Sequence, residues 1–177
     1  MNKLASFLIF TSLTLFLVGS FLVWQRYTPS RLSFDMGALP QRTVFVGPKY
    51  PIRLVIQKLN IDLPIYPAQI RSGNWEATTK GVSYLSTSVT PGSVGNSIIY
   101  GHNFRNLLGN LVDAKEGDEV DVYFSDGGQK SFNVKSTSIV NPNNNLVLAD
   151  SKEKLLTIYT CTGFLDTKRF VVTAVLQ

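Results

Sequence analysis

Leu155-Leu-Thr-Ile-Tyr-Thr-Cys161-Thr-Gly-Phe-Leu-Asp166-Thr-Lys-Arg169-Phe-Val-Val-Thr-Ala174 is the stretch whose reading decides the fold. Leu155 to Thr160 and Phe170 to Val175 are rich in β-branched and aromatic residues and read as two strands. Between them, Thr162-Gly163 and Asp166-Thr167-Lys168 supply turn chemistry. Cys161 stands where the first strand stops and Arg169 where the second begins. If the strands pair or neighbour each other, a thiol and a guanidinium lie together at one end of a sheet.

Composition narrows what that thiol can be. A chain of 177 residues suits a membrane segment plus one domain of moderate size. Its single cysteine excludes an intramolecular disulfide, and one histidine beside it leaves too few ligands for a structural zinc site. No cofactor or metal is expected. Cys161 is therefore either a buried apolar residue or a reactive thiol. The formal charge of +5 is scattered along the chain rather than gathered in a stripe. That pattern favours a basic surface facing an anionic wall or membrane over nucleic-acid binding.

Working outward to the N-terminus, Leu4 to Trp24 is an uncharged run of Leu, Phe, Ile and Val, long enough to cross a bilayer as a helix. A cleaved signal peptide with its small-residue site at Val18-Gly-Ser20 is the competing reading. Phe21-Leu-Val-Trp24 prolongs the apolar run past that site, which favours an uncleaved anchor over residues 1–25. Lys3 on one side and Arg26, Arg31 and Arg42 on the other leave orientation undecided by charge. Residues 26–49 carry Pro29, Pro40 and Pro48 without periodicity and read as a tether that holds the domain, residues 50–177, off the membrane.

The rest is short strands. Ile52–Gln57 alternates, Ile61–Tyr66 follows, a polar stretch containing Ser72-Gly73 comes next, Val82–Val89 precedes the Thr90-Pro91-Gly92 turn, and Ser97–Tyr100 ends abruptly at Gly101-His102-Asn103. Phe104, Leu107, Leu108, Leu111 and Val112 are spaced as one face of a short helix. Val120, Val122 and Phe124 alternate into an Asp126-Gly127 hairpin and on to Phe132 and Val134. Seven or eight short strands with one or two short helices predict a mostly-β barrel or sandwich.

His102 sits just past a buried strand, on a loop edge where side chains reach a cleft, although a turn histidine can also serve only local hydrogen bonds. With Cys161 and Arg169 it completes a set of nucleophile, proton carrier and fixed cation, which thiol acyl transfer requires. Tyr159 shares a strand face with Cys161, where it lines a groove or packs in a core.

Those residues resemble the sortase family. Thr157-Ile-Tyr-Thr-Cys161 is similar to the T-L-x-T-C signature, with Ile158 for the usual Leu, and Lys168-Arg-Phe-Val-Val-Thr-Ala174 to the arginine-bearing strand after it. Tyr100-Gly-His-Asn103 resembles the G-H segment, preceded by Pro91-Gly92 and Gly95-Asn96. Ile56 to Ile65 resembles the early strand pair. The likeness runs from about Tyr50 to Val175, with His, Cys and Arg in the family's order.

It implies an eight-stranded sortase β-barrel outside a Gram-positive-type cell membrane, acting as a cysteine transpeptidase. Such enzymes cut an L-P-x-T-G kind of sorting signal between Thr and Gly and pass the acyl group to an amine of a cell-wall precursor or protein. Cys161 would be the nucleophile, His102 the proton carrier and Arg169 the group that holds substrate and stabilises the oxyanion. Thr160, beside the nucleophile, joins Tyr159 as a candidate substrate-binding residue.

Departures refine the resemblance. No Asp or Glu lies between Ala77 and His102, where calcium-stimulated members carry acidic ligands, so activity independent of calcium is expected. The tether shows no Asp-Pro-aromatic lid of the pilin-polymerising kind, which places the likeness nearer the small D, E or F classes. Two other readings stay open. One is a membrane-tethered binding module with an inert Cys161; the other is a cysteine peptidase that only hydrolyses, although a papain-like one would place Cys before His.

Overall fold

A computed structural model of the chain describes residues 3–35, 49–71 and 73–177. Ten strands follow one N-terminal helix, α1 (Lys3–Arg26). They are β1 (Pro51–Ile56), β2 (Ile61–Ala68), β3 (Ile70–Arg71), β4 (Asn74–Trp75), β5 (Val82–Leu85), β6 (Gly95–Tyr100), β7 (Glu119–Phe124), β8 (Gln129–Val140), β9 (Lys154–Thr162) and β10 (Lys168–Leu176). Eight of these close a barrel in the order β1-β2-β5-β6-β9-β10-β8-β7, and β3 and β4 form a separate two-stranded ribbon. Pairing is parallel at β2/β5 and β6/β9 and antiparallel at the other junctions.

The alternation that marks the strands also fills the barrel. Ile61, Leu63 and Ile65 of β2 and Val120, Val122 and Phe124 of β7 turn inward while their neighbours face outward. Leu156, Ile158, Phe170, Val172 and Ala174 of β9 and β10 join them from the far wall. Gly127, at φ +81°, closes the β7–β8 hairpin in a left-handed conformation that glycine adopts without steric cost.

A second apolar layer lies on the outer face of β6, β9 and β10. Ile98, Tyr100, Tyr159, Cys161 and Val171 pack there under Leu32, Phe34, Trp75 and Leu148. Leu32 and Phe34 belong to the stretch read as a tether. Of that stretch, Pro29–Leu32 forms one 3₁₀ turn, the chain runs extended at Ser33, and both apolar side chains are buried against the barrel. Pro40 and the remainder of the tether up to Pro48 lie outside the described residues.

Three local expectations change. The helix foreseen over Phe104–Val112 is a set of turns leading into a 3₁₀ helix at Gly109–Asp113. Bonds from Leu107 to Phe104 and from Leu111 to Leu108 tighten the chain to three-residue spacing, burying Leu107, Leu108 and Leu111 but turning Val112 outward. β5 stops at Leu85 rather than Val89, because Ser88 turns back to bond the Leu85 carbonyl through both N–H and hydroxyl. The β3–β4 ribbon was read as a polar stretch; its strands are two residues long, too short for any alternation to show.

α1 has the length and apolarity to cross a membrane, about 36 Å at 1.5 Å per residue, and none of its residues is buried against the protein.

Candidate active site

The barrel's register, more than any single motif, assembles the site. β9 and β10 pair with Cys161 directly opposite Arg169. Directly opposed residues share a face, so thiol and guanidinium project side by side on the outer surface. β6 runs parallel to β9 with Tyr100 opposite Tyr159, and their rings stack at 5.4 Å and 12°. Two residues further along each chain come His102 and Cys161. Continued alternation therefore sets the imidazole on the same face as the thiol, one step beyond the stacked tyrosines. Gly101 keeps contact with β9 at this end, its N–H donating to the Tyr159 carbonyl at 3.3 Å.

Thr160 goes the other way. Its Oγ1 donates to the Gly101 carbonyl at 2.8 Å, and the residue is fully buried. It braces the histidine-bearing loop against β9 and is not on the face that carries Cys161. Tyr159 lies on the outer face of β9 with Cys161, wholly buried in the second apolar layer, its hydroxyl donating to the Leu32 carbonyl at 2.9 Å.

His102 is 4% exposed and stacks on Phe104 at 4.9 Å and 7°. Burial pulls its pKa below the usual histidine value, partly offset by the nearby Asp166 carboxylate. The Cys161 thiol is pushed up to about 11, chiefly by burial; Asp166 raises it further, while Arg169 and Arg31 oppose the rise. In this conformation burial disfavours the charged form of both groups.

Arg169 is 3% exposed and bonds main-chain carbonyls: Asp166 at 3.1 Å and Lys168 at 3.0 Å through one terminal nitrogen, and Ser33 at 3.0 Å through the other. Its Nε is buried without a hydrogen-bond partner. A buried guanidinium with a spare donor, beside a thiol, suits a carbonyl oxygen that gains negative charge.

The loop between the strands carries Gly163 at φ +78°, then Leu165 and Asp166 at φ +52° and +60°, a conformation uncommon for side-chain-bearing residues. It turns the Asp166 carboxylate onto Asn103 Nδ2 at 2.7 Å and Arg31 at 2.8 Å. Sequence reading gave Asp166 only a turn role. Arg31, Leu32 and Phe34 were passed over, although the apolar–polar–apolar order of Leu32-Ser33-Phe34 is the signal that could have found them. Among the described residues no group of three or more His, Cys, Asp or Glu is placed to hold a metal ion.

A thiol, an imidazole and a guanidinium at one end of a closed barrel are the groups that thiol acyl transfer requires. Residues 54–177 match the sortase domain family model, and the chain belongs to the sortase family. Its fold is similar to sortase A from Corynebacterium diphtheriae, a lid mutant, at 25% identity over 75% of this chain and 73% of that one, with a TM-score of 0.62. Sortase C-1 from Actinomyces oris shares 22% identity over 89% of this chain and 98% of its own, TM-score 0.63. For sortase A from Listeria monocytogenes the figures are 21%, 71%, 86% and 0.58. No curated protein matches the chain in sequence.

Proposed function

We propose that this sortase is held in the cell membrane by α1, with its catalytic domain on the outer side, and that it cleaves an L-P-x-T-G kind of sorting signal. The Cys161 thiol passes its proton to His102, the sulfur attacks the threonine carbonyl carbon, and the oxyanion so formed rests against the Arg169 guanidinium. His102 donates its proton to the leaving glycine nitrogen as the C–N bond breaks, leaving a thioester on Cys161. An amine of a cell-wall precursor or of another protein then attacks the thioester. His102 takes the amine's proton, and the thiolate leaves as the new amide forms.

One observation carries this reading: Cys161 is paired directly with Arg169 across β9 and β10, while the parallel β6 brings His102 to the same face. Such a constellation has no need of a metal, and turnover is expected to be unaffected by calcium or chelator.

The test is a fluorogenic L-P-x-T-G peptide incubated with the protein, with and without a nucleophilic amine. Cleavage with a thioacyl adduct on Cys161, an amide product when the amine is present, and loss of both in Cys161→Ala are expected. If no such peptide is cut or trapped, a binding module with an inert thiol is the better account. Cleavage at a rate and with a product indifferent to the amine identifies a hydrolase.

A further inference from the structure

We propose that the tip of the β9–β10 loop, Phe164-Leu165, dips into the surface of the phospholipid bilayer that α1 crosses, so that the barrel rests on the membrane by its active-site end. The inference rests on the reading of α1 as the membrane anchor. Phe164 is 84% exposed and Leu165 48%. Two large apolar side chains side by side at a loop tip are disfavoured in water and mark a surface that something apolar covers. Ile139 adds to it: it lies opposite Phe170 at the same end of β8 and β10 and is 59% exposed.

The loop holds this pair outward. Leu165 and Asp166 keep the left-handed conformation, at φ +52° and +60°, which a residue with a side chain retains only where its surroundings fix it. Here the fixed point is Asp166. Its carboxylate accepts from Asn103 Nδ2 at 2.7 Å and from Arg31 at 2.8 Å, and its carbonyl accepts from Arg169 at 3.1 Å. The same bonds satisfy the loop's one carboxylate, which would otherwise repel anionic headgroups. The base of the loop is polar and tied down; its tip is apolar and bare.

The end of α1 says what covers that tip. The apolar run of the helix stops at Trp24, so Arg26 falls at headgroup level when the helix spans. The Arg26 guanidinium lies 5.5 Å from the Phe104 ring and the Tyr27 ring 5.1 Å from it. Phe104 follows Asn103, which bonds Asp166, and Phe164 is two residues further on, at most about 7 Å of chain. Anchor and tip therefore meet at one end of the barrel. The other end, where β9 begins at Lys154, is about 23 Å from Cys161 along the strand. Exposed Arg105 follows Phe104 and exposed Lys168 closes the loop, and apolar side chains set among cations are the composition of segments that lie in a membrane surface. A protein partner could cover Phe164 and Leu165, but the bilayer is what this chain itself brings to them.

The test puts single nitroxide spin labels on the full chain, in a Cys161→Ser background, in vesicles of phosphatidylcholine and phosphatidylglycerol. The labelled positions are Phe164→Cys, Ser12→Cys within α1 and Ser93→Cys, exposed at the far end of the barrel. Power saturation compares collisions with oxygen, which concentrates in lipid, and with a water-soluble nickel chelate. Ser12→Cys should report lipid and Ser93→Cys water. Phe164→Cys should report the headgroup boundary, with an oxygen-to-nickel collision ratio at least about threefold above that of Ser93→Cys. If Ser12→Cys lies in lipid and Phe164→Cys matches Ser93→Cys, the tip is in water, the inference is overturned and a protein partner is left to cover it. If Ser12→Cys itself lies in water, the anchor falls and the inference with it. The unaltered protein decides independently should a labelled variant misfold. A membrane-soluble diazirine should mark residues 163–168 at least about fivefold more than the 125–128 hairpin, and equal marking overturns the proposal. Neither readout needs a sorting peptide, so the membrane contact stands or falls apart from the proposed reaction.

Discussion

The two faces of β9 are built on opposite terms. Leu156 and Ile158 enter the barrel and join a large cluster of aliphatic and aromatic side chains, where burial is what is asked of them. Tyr159 and Cys161, alternating with them, face a layer that contains polar donors, a charged guanidinium and a roof from a distant part of the chain. The interior is sealed by the closed hydrogen-bond ladder of eight strands, so it has no route to open short of unfolding. The outer layer is closed by short pieces of chain instead: Leu32 and Phe34 from the N-terminal segment, Trp75 from the ribbon and Leu148 from a 3₁₀ turn. One strand thus carries burial sealed inside the barrel on one face and burial under short separate segments on the other, and the proposed nucleophile is on the second.

The largest effect should come from the rim of that outer face. His102→Ala removes the proposed proton carrier but lies outside the barrel core, so turnover of a sorting peptide should fall by roughly 10²–10⁴-fold while the melting temperature moves little. A mutant that keeps most of its activity would sink the assigned mechanism. The inner face should behave in reverse. Ile158→Ala leaves a cavity in a fully buried position and should cost about 2–5 kcal/mol in stability by denaturant titration. Below the melting transition, it should leave Cys161 alkylation nearly unchanged. If Ile158→Ala frees the thiol without destabilising the barrel, the two faces are not independent.

Arg169→Lys comes next. A lysine keeps the charge but cannot span the Ser33 and Asp166 carbonyls with a planar fork while keeping a further donor for substrate. Peptide turnover should drop by roughly 10–100-fold, about 1.4–2.7 kcal/mol of transition-state stabilisation. A lysine variant with full activity would show that charge alone suffices.

The barrel was legible in the sequence because both faces leave a period. Val120-x-Val122-x-Phe124 and Ile61-x-Leu63-x-Ile65 alternate, and turn residues punctuate them. Cys161, His102 and Arg169 were legible because each residue type is chemically distinct and stands at a strand end. Leu32 and Phe34 were not, for a physical reason. Two apolar residues in a proline-containing stretch bury their side chains only against a surface that other segments create, so the short apolar–polar–apolar order of Leu32-Ser33-Phe34 is too slight a local signal to announce it. Asp166 was hidden likewise: turns use aspartate everywhere, and only the tertiary approach of Asn103 and Arg31 gives this carboxylate its partners.

The smallest expected effect is also the finest test of how the outer face closes. Tyr159→Phe deletes the hydroxyl that donates to Leu32 O and leaves the ring stacked on Tyr100. One neutral hydrogen bond contributes about 0.5–1.5 kcal/mol, so Cys161 alkylation should quicken by roughly two- to tenfold. Its pH dependence separates two causes. With the thiol at about 11, the thiolate fraction rises about tenfold per pH unit between pH 7 and 10 in the unaltered protein. Of the charges around the sulfur, Arg169 and Arg31 lower that value and Asp166 raises it, and the substitution touches none of them. If Tyr159→Phe only shifts the balance between closed and open forms, the rate rises most at low pH, where open molecules with a less buried thiol carry the thiolate, and the profile flattens. If instead the whole profile moves up in parallel, access of reagent to an equally buried sulfur has changed. The hydroxyl would then fasten the roof without controlling the ionisation of the thiol.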